Sequence, residues 1–148
     1  MSLVSRKGLL AVTAVLDVAI HSNGRPVSAK ALASRNTLPP RHLEPILQGL
    51  VRAGILKGTR GARGGYVLGR ARQQITIEDI LRATRILEDA QAPDLDSPLL
   101  DRIVPAIAEA ERHFSGVLSR FSIADLQVRQ GSRAPLKDLV ANDESRRP

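Results

Sequence analysis

Cysteine and tryptophan are absent from this chain of 148 residues, and it has one tyrosine and two phenylalanines. Without a thiol it makes no disulfide, no thiol redox sensor, no cysteine-ligated zinc site and no cysteine-held iron–sulfur cluster. That absence fits a cytoplasmic protein. With aromatics at 2%, the core must come from Leu, Ile, Val and Ala, which suits helices. Few aromatics also disfavour single-stranded nucleic acid, which usually needs stacking platforms. No amphipathic stretch pairs a Lys/Arg face with bulky aromatics, so a membrane surface is disfavoured as a partner. No long uncharged apolar run spans a bilayer, and no signal peptide is read at the N-terminus. Nucleophile-elbow, zincin and dinucleotide fingerprints are missing, so no enzyme and no cofactor is expected. His21, His42 and His113 are scattered without ligand spacing, and no metal site is expected. Glu109 and Glu111 lie two apart on a helix, so they diverge and suit a solvated face better than acid–base chemistry.

Charge is present but uneven. Residues 1–75 hold 12 Lys/Arg and 2 Asp/Glu, while residues 76–148 hold 10 Lys/Arg and 13 Asp/Glu. A basic half of +10 joined to a half of −3 is the electrostatic footprint of a polyanion binder.

The most telling stretch is Gly58-Thr59-Arg60-Gly61-Ala62-Arg63-Gly64-Gly65-Tyr66, set between the apolar runs Ile55-Leu56 and Tyr66-Val67-Leu68. Glycines permit positive φ and leave a hairpin tip bare, so Arg60 and Arg63 are its only large side chains. A nucleotide-binding loop would continue into Gly-Lys-Ser/Thr and a helix, but here a strand pattern follows. Such a hairpin suits a phosphate backbone or a narrow groove. Before it, Ser5 can cap a first helix running to about Ser22. Its apolar residues (Leu9, Leu10, Val12, Val15, Leu16, Ala19, Ile20) go round much of the circumference and predict deep burial. Ser28 can cap a short helix, Ala29 to Arg35, with Leu32 inward. After a turn at Asn36-Thr37-Leu38, a third helix starts near Pro39-Pro40. Leu43, Ile46, Leu47, Leu50 and Val51 point to a core, and Arg41, Glu44, Pro45, Gln48 and Arg52 to the other side. Pro45 predicts a bend, or a later helix start. This order is a winged helix-turn-helix.

Thr76 with Asp79 resembles a capping box, opening a helix with an Ile77, Ile80, Leu81, Thr84, Leu87 stripe. Residues 88–98 read as an acidic loop. Leu100, Ile103, Ile107, Ala110, Phe114, Val117 and Phe121 then follow a 3, 4 spacing, a heptad seam. Leu99, Val104 and Leu118 widen it. The seam suits either an intrachain core helix or a helix shared between two copies, and few other elements in the chain could cover it. Pro105 kinks this helix or marks its true start. Ser122 to Leu126 predicts a short final helix, and residues 129–148 a frayed tail.

The segments Ser5-Arg6-Lys7-Gly8 and Ala11 to Ala19 resemble the N-terminal helix of the IscR- and NsrR-type bacterial regulators, the Rrf-two family. Leu43-Glu44 with Leu50 and Ala53-Gly54-Ile55-Leu56 resembles its recognition helix. Arg60-Gly61 with Gly64-Gly65-Tyr66 resembles its wing, and Ile75 to Leu87 and Ser122 to Leu126 match more weakly. The resemblance spans residues 3–126 and implies a homodimeric transcription factor with a long C-terminal helix crossing between subunits. By that analogy Arg41 and Glu44 face base edges, with Glu44 accepting from a cytosine amino group. Arg60 enters the minor groove, and Ser5, Lys7 and Ser28 contact phosphates. Cluster-binding members carry three cysteines before the long helix, where this chain has Gln91 to Ser97. Their ligand histidine aligns near Val104. Arg63 replaces a family glycine, Leu38-Pro39 a usual cap, and Pro45 is atypical.

The expected fold is therefore mostly α with a small β-hairpin wing. A winged helix-turn-helix domain (1–87) is followed by a loop (88–98), a dimerisation helix with a short final helix (99–128) and a flexible tail (129–148). The expected function is a homodimeric, sequence-specific DNA-binding regulator, a repressor without an iron–sulfur cluster, acting on double-stranded promoter DNA. Its expected DNA contacts are Ser5, Lys7, Ser28, Arg41, His42, Glu44, Gln48, Arg60, Gly61, Arg63 and Gly64. Two alternatives stand beside it. One is a winged-helix adaptor that binds another protein through the seam. The other is a sensor with a small-molecule or metal ligand at the dimer interface.

Overall fold

The computed structural model describes residues 3–89 and 97–128. Residues 90–96 of the expected loop at 88–98, and the expected frayed tail at 129–148, lie outside the described residues. The elements run α1 (Arg6–His21), α2 (Ala29–Arg35), α3 (Pro40–Arg52), β1 (Leu56–Thr59), β2 (Gly65–Leu68), a 3-10 turn (Arg72–Gln74), α4 (Ile77–Asp89), α5 (Leu100–Leu118) and α6 (Ile123–Val128). This is a winged helix-turn-helix with a further long helix.

Local capping sets most helix starts. Ser5 Oγ accepts from the Gly8 N–H at 3.0 Å, and Ser28 Oγ from the Ala31 N–H at 3.1 Å. Thr76 and Asp79 exchange two bonds of 3.1 Å at the start of α4. A second reciprocal box, Ser122 with Asp125, opens α6. Helix α3 starts at Pro40 and runs on through Pro45, so the later start is not what happens. A proline there denies the Arg41 carbonyl its helical N–H, at a cost of roughly 3 kcal/mol that the rest of the fold must offset. Likewise α5 starts at Leu100 and includes Pro105 as an interior residue.

The core is aliphatic. Val15, Val18, Leu32, Leu43, Leu47, Leu50, Ile55, Ile75, Ile80 and Ile123 are all fully buried within it. Helix α1 is less enclosed than its composition predicts, because Leu9 is 42% exposed. Its small face does the packing instead: a Cβ on Gly8 would meet the Leu81 side chain at 2.7 Å. Val51 is also corrected, being 36% exposed at the edge of the α3 stripe.

Strands β1 and β2 are antiparallel, with Leu56 opposite Leu68 and Thr59 opposite Gly65. The hairpin is tied to the chain before α2, where Val27 and Tyr66 exchange backbone bonds of 2.9 and 2.8 Å. Gly65 comes so close there that a Cβ would overlap the Val27 carbonyl. Gly64 is equally constrained, since a Cβ would strike the Thr59 carbonyl across the tip. These two positions accept no other residue without moving the hairpin.

After α5 the chain turns back. The Ile77 N–H donates to the Phe121 carbonyl at 2.9 Å and the Ile123 N–H to the Ile75 carbonyl at 2.8 Å. Phe121, the seventh seam position, therefore lies past the end of α5, next to the Thr76–Ser122 bridge. Helix α6 is tied to α1 by Gln127, whose Nε2 donates to the Ala19 carbonyl at 3.2 Å. Helix α5 rests on α4 yet has no buried residue.

Candidate nucleic-acid interface

Helix α3 is cleanly two-faced. Leu43, Ile46, Leu47 and Leu50 are buried, which leaves Arg41, Glu44, Pro45, Gln48 and Arg52 exposed. Their spacing of three, four, seven and eleven from Arg41 puts them on one stripe along the helix. The hairpin stands beside this stripe. Between them lies an open groove of 790 Å³, lined among others by Ser28, Gln48, Val51, Arg52, Arg60 and Gly64.

The expected contact residues thus divide into three groups. Ser28, Gln48, Arg60 and Gly64 share the groove. Arg41, His42 and Glu44 are exposed on the first half of α3, with His42 beside the stripe rather than on it. Gly61 and Arg63 are exposed at the hairpin tip. Ser5 and Lys7 sit at the first turn of α1 and do not line the groove. The hydroxyls of Ser5 and Ser28 already accept a capping bond, so only their protons remain for an outside acceptor.

Two features escaped the sequence reading of the site. Arg52, already placed on the outer stripe but not among the expected contacts, lines the groove together with Arg60. The other is an ionic clamp behind the helix-turn-helix. Asp17, 8% exposed, takes bonds of 3.2 and 3.1 Å from Arg35 Nε and of 2.6 Å from Arg35 Nη2. Asn36 Nδ2 adds a bond of 3.1 Å to the same carboxylate, and His21 Nδ1 lies 3.3 Å from it. Burial pushes the Asp17 carboxyl up, but hydrogen bonds from Arg35 and Asn36 and the charges of Arg35 and His21 outweigh it and hold it below its ordinary value. The clamp fixes the end of α2, and hence the turn before α3, against α1.

It also shapes the field. Asp17 and Glu44 are the only carboxylates of residues 1–75. With Asp17 buried against Arg35, Glu44 is the one exposed carboxylate of residues 1–75, a segment that also exposes Arg41, Arg52, Lys57, Arg60 and Arg63.

Residues 4–129 match the family model Rrf2, described as an iron-dependent transcriptional regulator. The chain belongs to the Rrf2 family. It is a winged helix-turn-helix DNA-binding regulator and not an enzyme. Protein rrf2 of Nitratidesulfovibrio vulgaris is 33% identical over 129 residues, covering 82% of this chain and 83% of that one. Several other curated relatives are matched over little more than half of their length. Among solved structures, T. potens IscR superimposes with a TM-score of 0.67 at 31% identity, covering 89% of this chain and 92% of that one. CymR, the global cysteine regulator of B. subtilis, gives 0.64 at 32% identity, covering 86% and 98%.

The description of the Rrf2 family names iron. The chain has no cysteine, and no group of three or more His, Asp or Glu among the described residues could hold a metal ion. A cluster held by cysteine thiolates does not fit this protein. No helix among the described residues is long and apolar enough to cross a membrane.

Proposed function

We propose that this regulator is a homodimeric, sequence-specific repressor acting in the cytoplasm without an iron–sulfur cluster. Residues 1–87 form its DNA-binding unit, and residues 99–128, with α5, its dimerisation element. The observation that carries the reading is the groove shared by the exposed α3 stripe and the Arg60 hairpin. A helix presenting side chains to a major groove and a basic hairpin beside it would meet one duplex together. Arg41, Glu44 and Gln48 would then face base edges, Arg60 the minor groove, and Lys7, His42, Arg63, Ser5 and Ser28 phosphates. Gly61 and Gly64 keep the tip bare for close backbone approach.

The dimer reading rests on α5. Leu99, Ile103, Val104, Ile107 and Val117 are 62, 48, 53, 53 and 46% exposed. Apolar surface of that extent on one helix marks an interaction face. A second copy would cover it, with Leu100, Ala110 and Phe114 in the same seam. Two reading helices related by a dyad would then meet half-sites about 34–36 Å apart.

The test is a titration of the full chain onto duplex DNA from its own upstream region, against a scrambled duplex at near-physiological salt. Specific binding at about 10⁻⁸ M or tighter is expected, against roughly 10⁻⁴ to 10⁻⁶ M for the control. Arg60→Ala should weaken the specific complex. Equal affinity for both duplexes would overturn sequence-specific recognition of that region.

A further inference from the structure

Pro45 has no part in the fold that accounts for it. It is the sixth residue of α3, beyond the first turn where proline is harmless, and it removes a backbone bond from the helix. Its ring is exposed, so it packs into no core. It lies on the same outer stripe as Arg41, Gln48 and Arg52, and is adjacent to Glu44. That stripe is otherwise polar or charged, with Val51 the other exposed apolar side chain at its edge, toward the end of the helix.

Glu44 beside it raises a matching question. A carboxylate on the stripe that carries Arg41 and Arg52 repels a phosphate backbone, so it weakens general DNA binding. Its compensation lies in the bases, where it can accept from an exocyclic amino group. A side chain deep enough to do that brings its neighbour to base edges too. The apolar group offered by a base pair in the major groove is the C5-methyl of thymine.

We propose that Pro45 is a specificity-determining residue whose ring packs against a thymine methyl, next to the base that donates to Glu44. This inference rests on the reading of α3 as the major-groove helix. It assigns to that helix a thymine beside a cytosine or adenine in each half-site. Proline suits the contact because its ring is rigid and carries no donor or acceptor that would compete for a polar base edge.

The experiment uses the full chain and a duplex that it has selected from random DNA. Each thymine is replaced in turn by deoxyuridine, which removes the methyl and leaves base pairing intact. Wild-type protein should bind about fourfold more weakly at one thymine per half-site, the effect of one buried methyl group. Pro45→Ser should show no difference between thymine and uracil there, and Pro45→Val should restore it. Both variants regain the backbone N–H, so a merely structural role for Pro45 would leave the thymine-to-uracil ratio unchanged. Indifference of the wild type to every thymine methyl overturns this inference alone, as does a ratio that Pro45→Ser preserves. Failure to select any duplex would sink it together with the sequence-specific reading.

Discussion

Helices α3 and α5 are both amphipathic, yet they are covered in opposite senses. In α3 the apolar face is sealed except at its edge, at Val51, with Leu47 and Leu50 wholly buried, and the charged face is left to solvent. In α5 Ile103, Val104, Ile107 and Val117 remain outside while Leu100, Phe114 and Leu118 are half-buried, and none is fully buried. The contrast shows where each helix has unfinished business. Helix α3 has completed its packing and offers hydrogen-bonding and charged groups to a polar partner. Helix α5 has not completed its packing and offers hydrocarbon to an apolar one. Apolar periodicity is alike in the two sequences, so it reports that a face will be covered without saying by what.

Core truncation should break this contrast most forcefully. Leu47→Ala should lower unfolding stability by about 2–5 kcal/mol, read from urea titration at fixed protein concentration. The equivalent loss on α5 should appear in assembly instead. Ile107→Asp is expected to raise the dimer dissociation constant by about a hundredfold, roughly 3 kcal/mol, because a charge would be buried against the partner helix. Sedimentation equilibrium measures it. A variant that stays dimeric would remove the α5 stripe from the interface and leave its exposure without an occupant.

The same contrast explains what was legible in the sequence. Ser5, Ser28 and Thr76 were readable as caps because a cap bonds within three residues of itself. The hairpin was readable because the glycines at 61 and 64 answer to the geometry of the tip itself. Val51 and Leu9 were misplaced because coverage at the edge of a stripe depends on what packs alongside, which periodicity does not encode. Phe121 fits the heptad count but not the helix, since its carbonyl is claimed by Ile77, distant in sequence. The Asp17–Arg35 clamp joins residues eighteen apart, set by how α1 crosses α2. The groove-facing position of Arg52 waited on the hairpin's placement.

That clamp gives the next prediction, since it underlies the geometry of the α3 side alone. Arg35→Ala should cost about 1.5–3 kcal/mol at neutral pH by stripping a buried carboxylate of its charged donor. The pH dependence has a definite sign. Asp17 is held below its ordinary value in the folded protein, so the unfolded chain binds a proton at higher pH than the folded one. The stabilisation is therefore complete above the ordinary carboxyl value of about 3.9 and is lost as pH falls through the lower folded value. Denaturation curves of wild type and Arg35→Ala should converge on acidification. A constant gap down to low pH would mean that the pair contributes through packing and not through charge.

The smallest effect tests the polar side of the contrast directly. Arg63 is exposed at the hairpin tip and touches no part of the core, so Arg63→Gly should leave stability within experimental error. Its effect should lie in the salt dependence of DNA binding. Loss of one phosphate contact lowers the slope of log affinity against log salt by about 0.9, or about twice that for a dimer with two wings. Affinity itself should fall only a few-fold at physiological salt, equally for specific and scrambled duplexes, because a phosphate contact carries no sequence information. A loss confined to the specific duplex would instead place Arg63 at a base edge or in a narrowed minor groove, where width is set by sequence. Ile107→Asp is the control: it should weaken binding by dispersing the dimer while leaving the slope per protomer unchanged. If it alters that slope, α5 contributes to the field at the DNA and the division of labour between the two helices does not hold.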